Sequence, residues 1–136
     1  MNSVTIESVL SLILAIVLGA VVGIEREITH KPAGLRTHML VSLGSCLFTI
    51  VSLQEFSIDP ARIAAGIVTG IGFIGAGTII AEQDKVVGIT TAASLWATAA
   101  IGLVVGAGNY LLAITATLLV FLVLFSRTIL KKMRIQ

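Results

Sequence analysis

Charge is what this chain has least of. Only 12% of its 136 residues are Asp, Glu, Lys or Arg, against roughly 25% in a soluble domain that must cover a water-facing surface. Hydrophobic residues make up 57% and the mean hydropathy is +1.08, so the surface is solvated by lipid. A net charge of +2 without a long basic run, and with aromatics at only 5%, gives nucleic acid nothing to bind. Cysteine occurs once, at Cys46, which excludes an intrachain disulfide; set in an apolar stretch, it reads as a small buried hydrophobe. No G-x-x-x-x-G-K-[ST] occurs, so an ATPase would have no loop to hold its phosphates. No nucleophile–base–orienter set and no zinc-like spacing is visible, and His30 and His38 are separated by Pro32 and Gly34. The expectation is no enzyme and no resident cofactor.

What charge there is marks boundaries. The sixteen charged residues fall at Glu7 and in 25–36, 55–62, 82–85 and 127–134, leaving uncharged stretches of 17, 18, 19 and 41 residues. The first three are each about one bilayer crossing. The fourth would reach about 60 Å as a single helix, twice the hydrocarbon thickness, and must break, with Gly106–Asn109 supplying turn residues. The chain therefore reads as an all-α integral membrane protein with five transmembrane helices, at about 6–24, 37–54, 61–81, 90–106 and 109–127. The first is not a convincing signal peptide, because the segment before it has no Lys or Arg and carries Glu7. Asp59 with Pro60 reads as the cap and first position of the third helix, and Gly88 followed by Thr90 or Thr91 as the turn and cap of the fourth. Eight of nine Lys and Arg then lie on one side, with Arg62 alone on the other. The positive-inside rule puts the N-terminus outside and the C-terminus in the cytoplasm.

The segment GIVTGIGFIGAG, residues 66–77, admits two readings. Gly70, Gly72 and Gly75 match G-x-G-x-x-G, but a dinucleotide fingerprint needs a preceding strand and an acid about 20 residues on, where the chain reads VVGITT. Gly66 and Gly70 match G-x-x-x-G, the close-packing motif of membrane helices, which suits an uncharged span. At 100° per residue Gly66, Gly70 and Gly77 share one face, while Gly72 and Gly75 lie roughly opposite. Two smooth faces imply a centrally placed third helix and self-association into a dimer or a larger oligomer.

Polar groups near membrane depth are the functional candidates. Glu25, Arg26 and Glu27 follow the first helix while Arg36 and His38 open the second, either as an ion-paired helix boundary or as a docking or ion-sensing site. Asp59 and Arg62 form an outer pair, either local or a contact for a cation or partner. On the fourth helix, Thr91, Ser94 and Thr98 share a face beside Thr90, and Trp96 reads as an interfacial or interhelical anchor. Magnesium would be held only weakly by one or two carboxylates.

Three blocks, GIEREITHKPAGLRTHMLVSLGS, DPARIAAGIVTGIGFIGAG and GITTAASLWATAAIGLVVGAGNY, resemble in order the signature blocks of the MgtC/SapB membrane-protein family and cover most of residues 23–110. The resemblance implies a bacterial inner-membrane protein with five spans, linked to growth in low magnesium, survival in macrophages and acid tolerance. It implies regulation, through restraint of the F-type ATP synthase, rather than magnesium carriage; an oligomeric cation transporter or channel is the alternative. Many members also carry a C-terminal cytoplasmic domain, and the expectation is that it is absent here. Gly66 stands where members often have Gln, and Thr90 where the MgtC branch often has Asn. The glycine reading predicts that Gly70→Leu disrupts self-association on a detergent gel or by crosslinking; unchanged assembly would refute it.

Overall fold

The computed structural model describes residues 5–56, 59–82 and 85–133. Five helices run α1 (Ile6–Ile28), α2 (Leu35–Glu55), α3 (Pro60–Ala76), α4 (Ile89–Gly106) and α5 (Tyr110–Met133), with a hairpin of β1 (Ile80–Glu82) and β2 (Lys85–Val87) before α4. Four of them, all but α3, are long and apolar enough to cross a membrane.

Local chemistry explains most boundaries. The Thr5 hydroxyl accepts the Ser8 N–H at 3.2 Å and starts α1. Its end overruns the expected residue 24 by one turn, because Glu25–Ile28 continue the helix until His30 turns left-handed at φ 53°. Lys31 N–H then bonds Arg26 O and His30 N–H bonds Glu27 O, which satisfies the terminal carbonyls. The break expected at Gly106–Asn109 is built the same way: Gly108 has φ 80°, Asn109 N–H reaches Val104 O, and the Asn109 side chain accepts from Leu112 N–H.

Three expectations need correction. The third helix ends at Ala76 rather than near 81, where the Thr78 hydroxyl bonds Gly75 O at 2.7 Å. Ile79 and Ile80, then Val86 and Val87, are β-branched and favour extended backbone, so Ile80 pairs with Val87, Ala81 with Val86 and Glu82 with Lys85. Neither Asp59, Thr90 nor Thr91 caps a helix with its side chain: Asp59 is at the N-cap position but pairs with Arg62, and the N-cap of α4 is Gly88, φ 93°, where a Cβ would collide with Thr78 O. Third, α3 is peripheral. Only Ile71 and Gly75 are buried on it, and Gly66, Gly70 and Gly72 have nothing within 4 Å of where a Cβ would stand. Gly75 alone meets another helix, at Ala92 of α4 (3.5 Å), while Gly77 faces carbonyls of its own helix end.

The central helix is α2, packed against α1 on one side and α4 on the other, with α5 outside α1 and α4. Glycines bring these backbones together. A Cβ on Gly19 would stand 2.7 Å from His38 O, one on Gly23 2.8 Å from Leu35 Cα, and one on Gly106 2.6 Å from Cys46 O; on Gly102 it would collide with Ser42 O. Both pairs have G-x-x-x-G spacing, and α2 answers with small side chains: Ser42, Ser45 and Cys46 are buried, and Ser45 donates to Ala99 O of α4 at 2.6 Å. Where apolar burial gains little, contact at this range supplies the association energy. Ala15, Leu18, Val22, Ile50, Ile101 and Val105 fill the remaining core. We expect Gly102→Ala to lower unfolding stability in micelles by about 1–3 kcal/mol, the usual cost of overpacking. Gly66→Ala should be neutral or stabilising by up to about 1 kcal/mol, since helix propensity favours Ala. Equal losses at both positions would contradict the packing.

Candidate functional site

The α1–α2–α4 seam ends in a buried polar junction. The last turn of α1 supplies Glu25 and Arg26, the first turn of α2 supplies His38, and the first two turns of α4 supply Thr91 and Ser94. Arg26 is only 2% exposed. Its Nη1 donates to Glu25 Oε2 at 3.1 Å and its Nη2 to Thr91 Oγ1 at 3.3 Å, so one guanidinium ties α1 to α4. The pair is tolerable in a dry setting because each charge has an opposite one in contact. Arg26 Nε and Ser42 Oγ, one helical turn beyond His38, are buried with no hydrogen-bond partner among the described residues.

His38 is fully buried. Its Nδ1 lies 2.9 Å from Gly34 O and its Nε2 3.0 Å from Ser94 Oγ. A carbonyl only accepts, so Nδ1 carries a hydrogen. Ser94 has one hydroxyl hydrogen and two neighbours to receive it, Nε2 and, at 2.8 Å, Thr91 O. A neutral ring draws that hydrogen to Nε2. A cationic ring donates at both nitrogens and releases it to Thr91 O. The junction thus has two complete bonding patterns that differ by one proton.

Of the sequence candidates, Glu25, Arg26, His38, Thr91 and Ser94 meet here. Glu27 does not: it is exposed and accepts the Leu35 N–H at 2.8 Å, fastening the start of α2. A Cβ on Gly34 would collide with that Glu27 carboxylate. Arg36 is exposed on the side of α2 facing Ile16, away from the junction. Thr90 is exposed and Trp96, 53% exposed, points out of the bundle. Asp59 and Arg62 pair at 3.1 Å at the opposite end, largely in the open. Lys85 lies on the exposed hairpin.

Sequence reasoning missed a second polar cap, at the far end of the seam. Ser11 Oγ lies 2.8 Å from Tyr110 Oη, which reaches Glu7 Oε1 at 3.4 Å, and Gln54 donates to Ser8 Oγ at 3.1 Å. It also missed Thr49, which is buried and returns its hydroxyl to Ser45 O at 2.8 Å. The S-x-x-S-C-x-x-T run of α2, a stripe of small polar residues at helical spacing, was the available signal. Among the described residues no group of three or more His, Cys, Asp or Glu is placed to hold a metal ion.

With this geometry in view, the similarities to known proteins are informative. The MgtC family model matches residues 12–133. The "Putative magnesium transporter YhiD" of Escherichia coli (strain K12) is 48% identical over 129 residues, covering 88% of this chain and 60% of that protein. "Protein MgtC" of Salmonella typhimurium (strain LT2) is 45% identical over 112 residues, covering 82% and 48%. A Haemophilus influenzae protein is 42% identical over 120 residues, covering 80% and 50%. The chain thus spans about half to three-fifths of the length of these relatives. No solved structure matches.

The junction makes a specific demand on stability. Arg26→Gln leaves the Glu25 carboxylate buried without its counter-charge and should cost about 3–5 kcal/mol. Adding Glu25→Gln to it should recover a large part of that loss. Unfolding titrations of the two single variants and the double variant check this; additive losses would refute the pairing.

Proposed function

The chain belongs to the MgtC family, and from that premise we propose that it is a non-enzymatic regulatory module of a bacterial inner membrane rather than a conduit for ions. Its N-terminus faces outward and the Glu25–His38 junction faces the cytoplasm, in line with the eight-to-one distribution of Lys and Arg.

One observation carries the reading: the two polar caps are separated by an apolar plug. Between the junction at Arg26, His38 and Ser94 and the far cap at Ser11, Gln54 and Tyr110, the helix seam is filled by Ala15, Leu18, Cys46, Ile50, Ile101 and Val105. Three hydroxyls along this seam are turned to backbone carbonyls: Ser45 donates across to Ala99 O, while Thr49 and Thr98 donate within their own helices to Ser45 O and Ser94 O. An ion crossing there would have to leave water with no row of carbonyls or carboxylates to replace it. The lipid-facing α3, by contrast, is free to touch a neighbour: Val68 is 48% exposed and Phe73 86%, and Gly72 beside them leaves room for close approach. A second copy or another membrane protein, the F-type ATP synthase first, is the partner such a module would restrain. The family link makes magnesium limitation or acid stress the setting.

Proteoliposomes containing only this protein, loaded with a magnesium-sensitive dye, test the proposal. The expected result is cation entry at the rate of empty vesicles under an imposed gradient. Saturable magnesium flux that scales with protein content would overturn it in favour of the transporter reading.

A further inference from the structure

The far polar cap encloses a recess of about 190 Å³, where the start of α1, the end of α2 and the α4–α5 turn meet. The furrow between α2 and α3 that Gly66 and Gly70 line has largely apolar walls. This recess instead is edged by Glu7, Ser8, Ser11, Gln54 and Tyr110. Glu7 and Gln54 are exposed and form its rim, while Ser8 and Ser11 are buried at its base. It therefore opens to solution at the end of the bundle, not sideways to lipid.

Its hydrogen bonds leave acceptors in surplus. Tyr110 Oη lies 2.8 Å from Ser11 Oγ and reaches Glu7 Oε1, and Gln54 spends one amide N–H on Ser8 Oγ. Glu7 Oε2 and Gln54 Oε1 accept nothing from the described residues, and neither do the carbonyls of Gly106 and Ala107. Those two carbonyls stand at the end of α4, where the helix dipole is negative. Among the described residues Glu7 is the one charged side chain in the lining, and Ile50 and Leu53 give it an apolar wall. The matching ligand has a single positive charge, several N–H donors and a short hydrocarbon part. A divalent metal ion would find only one carboxylate, too few to displace its water. The volume is that of about six waters, which suits a molecule of a few heavy atoms. We propose that this recess binds a small aliphatic primary amine in its ammonium form, the charge on Glu7 and the N–H groups on Gln54 Oε1 and the terminal carbonyls of α4.

The inference does not rest on the regulator reading, and no ion flux enters its test. Tyr110 is the single tyrosine, so ¹³Cζ-tyrosine places one NMR signal inside the recess. The full chain in phosphatidylcholine nanodiscs, whose lipid carries no primary amine, is titrated with n-propylammonium chloride at neutral pH and constant ionic strength. The expected result is a saturable shift of the Tyr110 signal. 1-Propanol should produce none. Tetramethylammonium, with the same charge and no N–H, should need about tenfold more, the worth of one charge-assisted hydrogen bond. Glu7→Gln should weaken binding by about tenfold or more at an unchanged unfolding temperature. Gln54→Glu should tighten it, because a second carboxylate joins the first. A shift that follows ionic strength alone, equal response to the two ammonium ions, or saturation by magnesium chloride at lower concentration would overturn the proposal. So would an affinity unchanged in both Glu7→Gln and Gln54→Glu.

Discussion

The structure depends on how closely two helices approach a third. Gly19 and Gly23 of α1 and Gly102 and Gly106 of α4 face α2 at distances that leave no space for a methyl group. In lipid, where hydrocarbon solvates an apolar side chain as well as a protein interior does, close backbone contact and interhelical hydrogen bonds replace the hydrophobic effect as the cohesive force. α2 is matched to this role by Ser42, Ser45, Cys46 and Thr49, which are small enough to admit both neighbours and polar enough to bond them. The peripheral positions of α3 and α5 follow, since the faces of α2 that could bury another helix tightly are already taken.

The same closeness makes the polar junction possible. The Arg26 guanidinium reaches Thr91 on α4, and His38 on α2 reaches Ser94 on α4, only because the three backbones converge at that end. Buried there, these groups are satisfied chiefly by one another, so the junction binds the helices together instead of opening a path between them. The bond pattern at Ser94 changes with a single proton on His38, while the Arg26 bonds to Glu25 and Thr91 do not involve that proton.

Much of this was legible in the residues. Five helices, the turn at Gly106–Asn109, the Lys31–Gly34 connection and the polar character of Glu25, Arg26, His38, Thr91 and Ser94 all follow from charge spacing and turn chemistry. That the first, second and fourth helices would share one site was not legible, because sequence spacing carries no information on which faces meet. The glycine argument chose the wrong helix for the central position. Residues 66–77 hold the densest glycine run, but density is not contact: Gly66 and Gly70 line a furrow, while the sparser pairs at 19/23 and 102/106 meet α2. What distinguishes the sparser pairs is a partner with a complementary stripe, S-x-x-S-C-x-x-T, and only a search for matched faces would have found it. The end of α3 was missed for a different reason, since apolar β-branched residues suit a strand as well as a membrane helix.

The central claim is that α1 and α4 grip α2 closely enough to bury His38 between Gly34 and Ser94. Solid-state NMR of the ¹⁵N-histidine-labelled protein in lipid bilayers, in a His30→Asn background, reads that geometry directly. The account predicts that Nδ1 of His38 carries a proton throughout the titration, with a neutral ring in the Nδ1–H form. A neutral ring protonated at Nε2 instead, the form free histidine prefers, would contradict it.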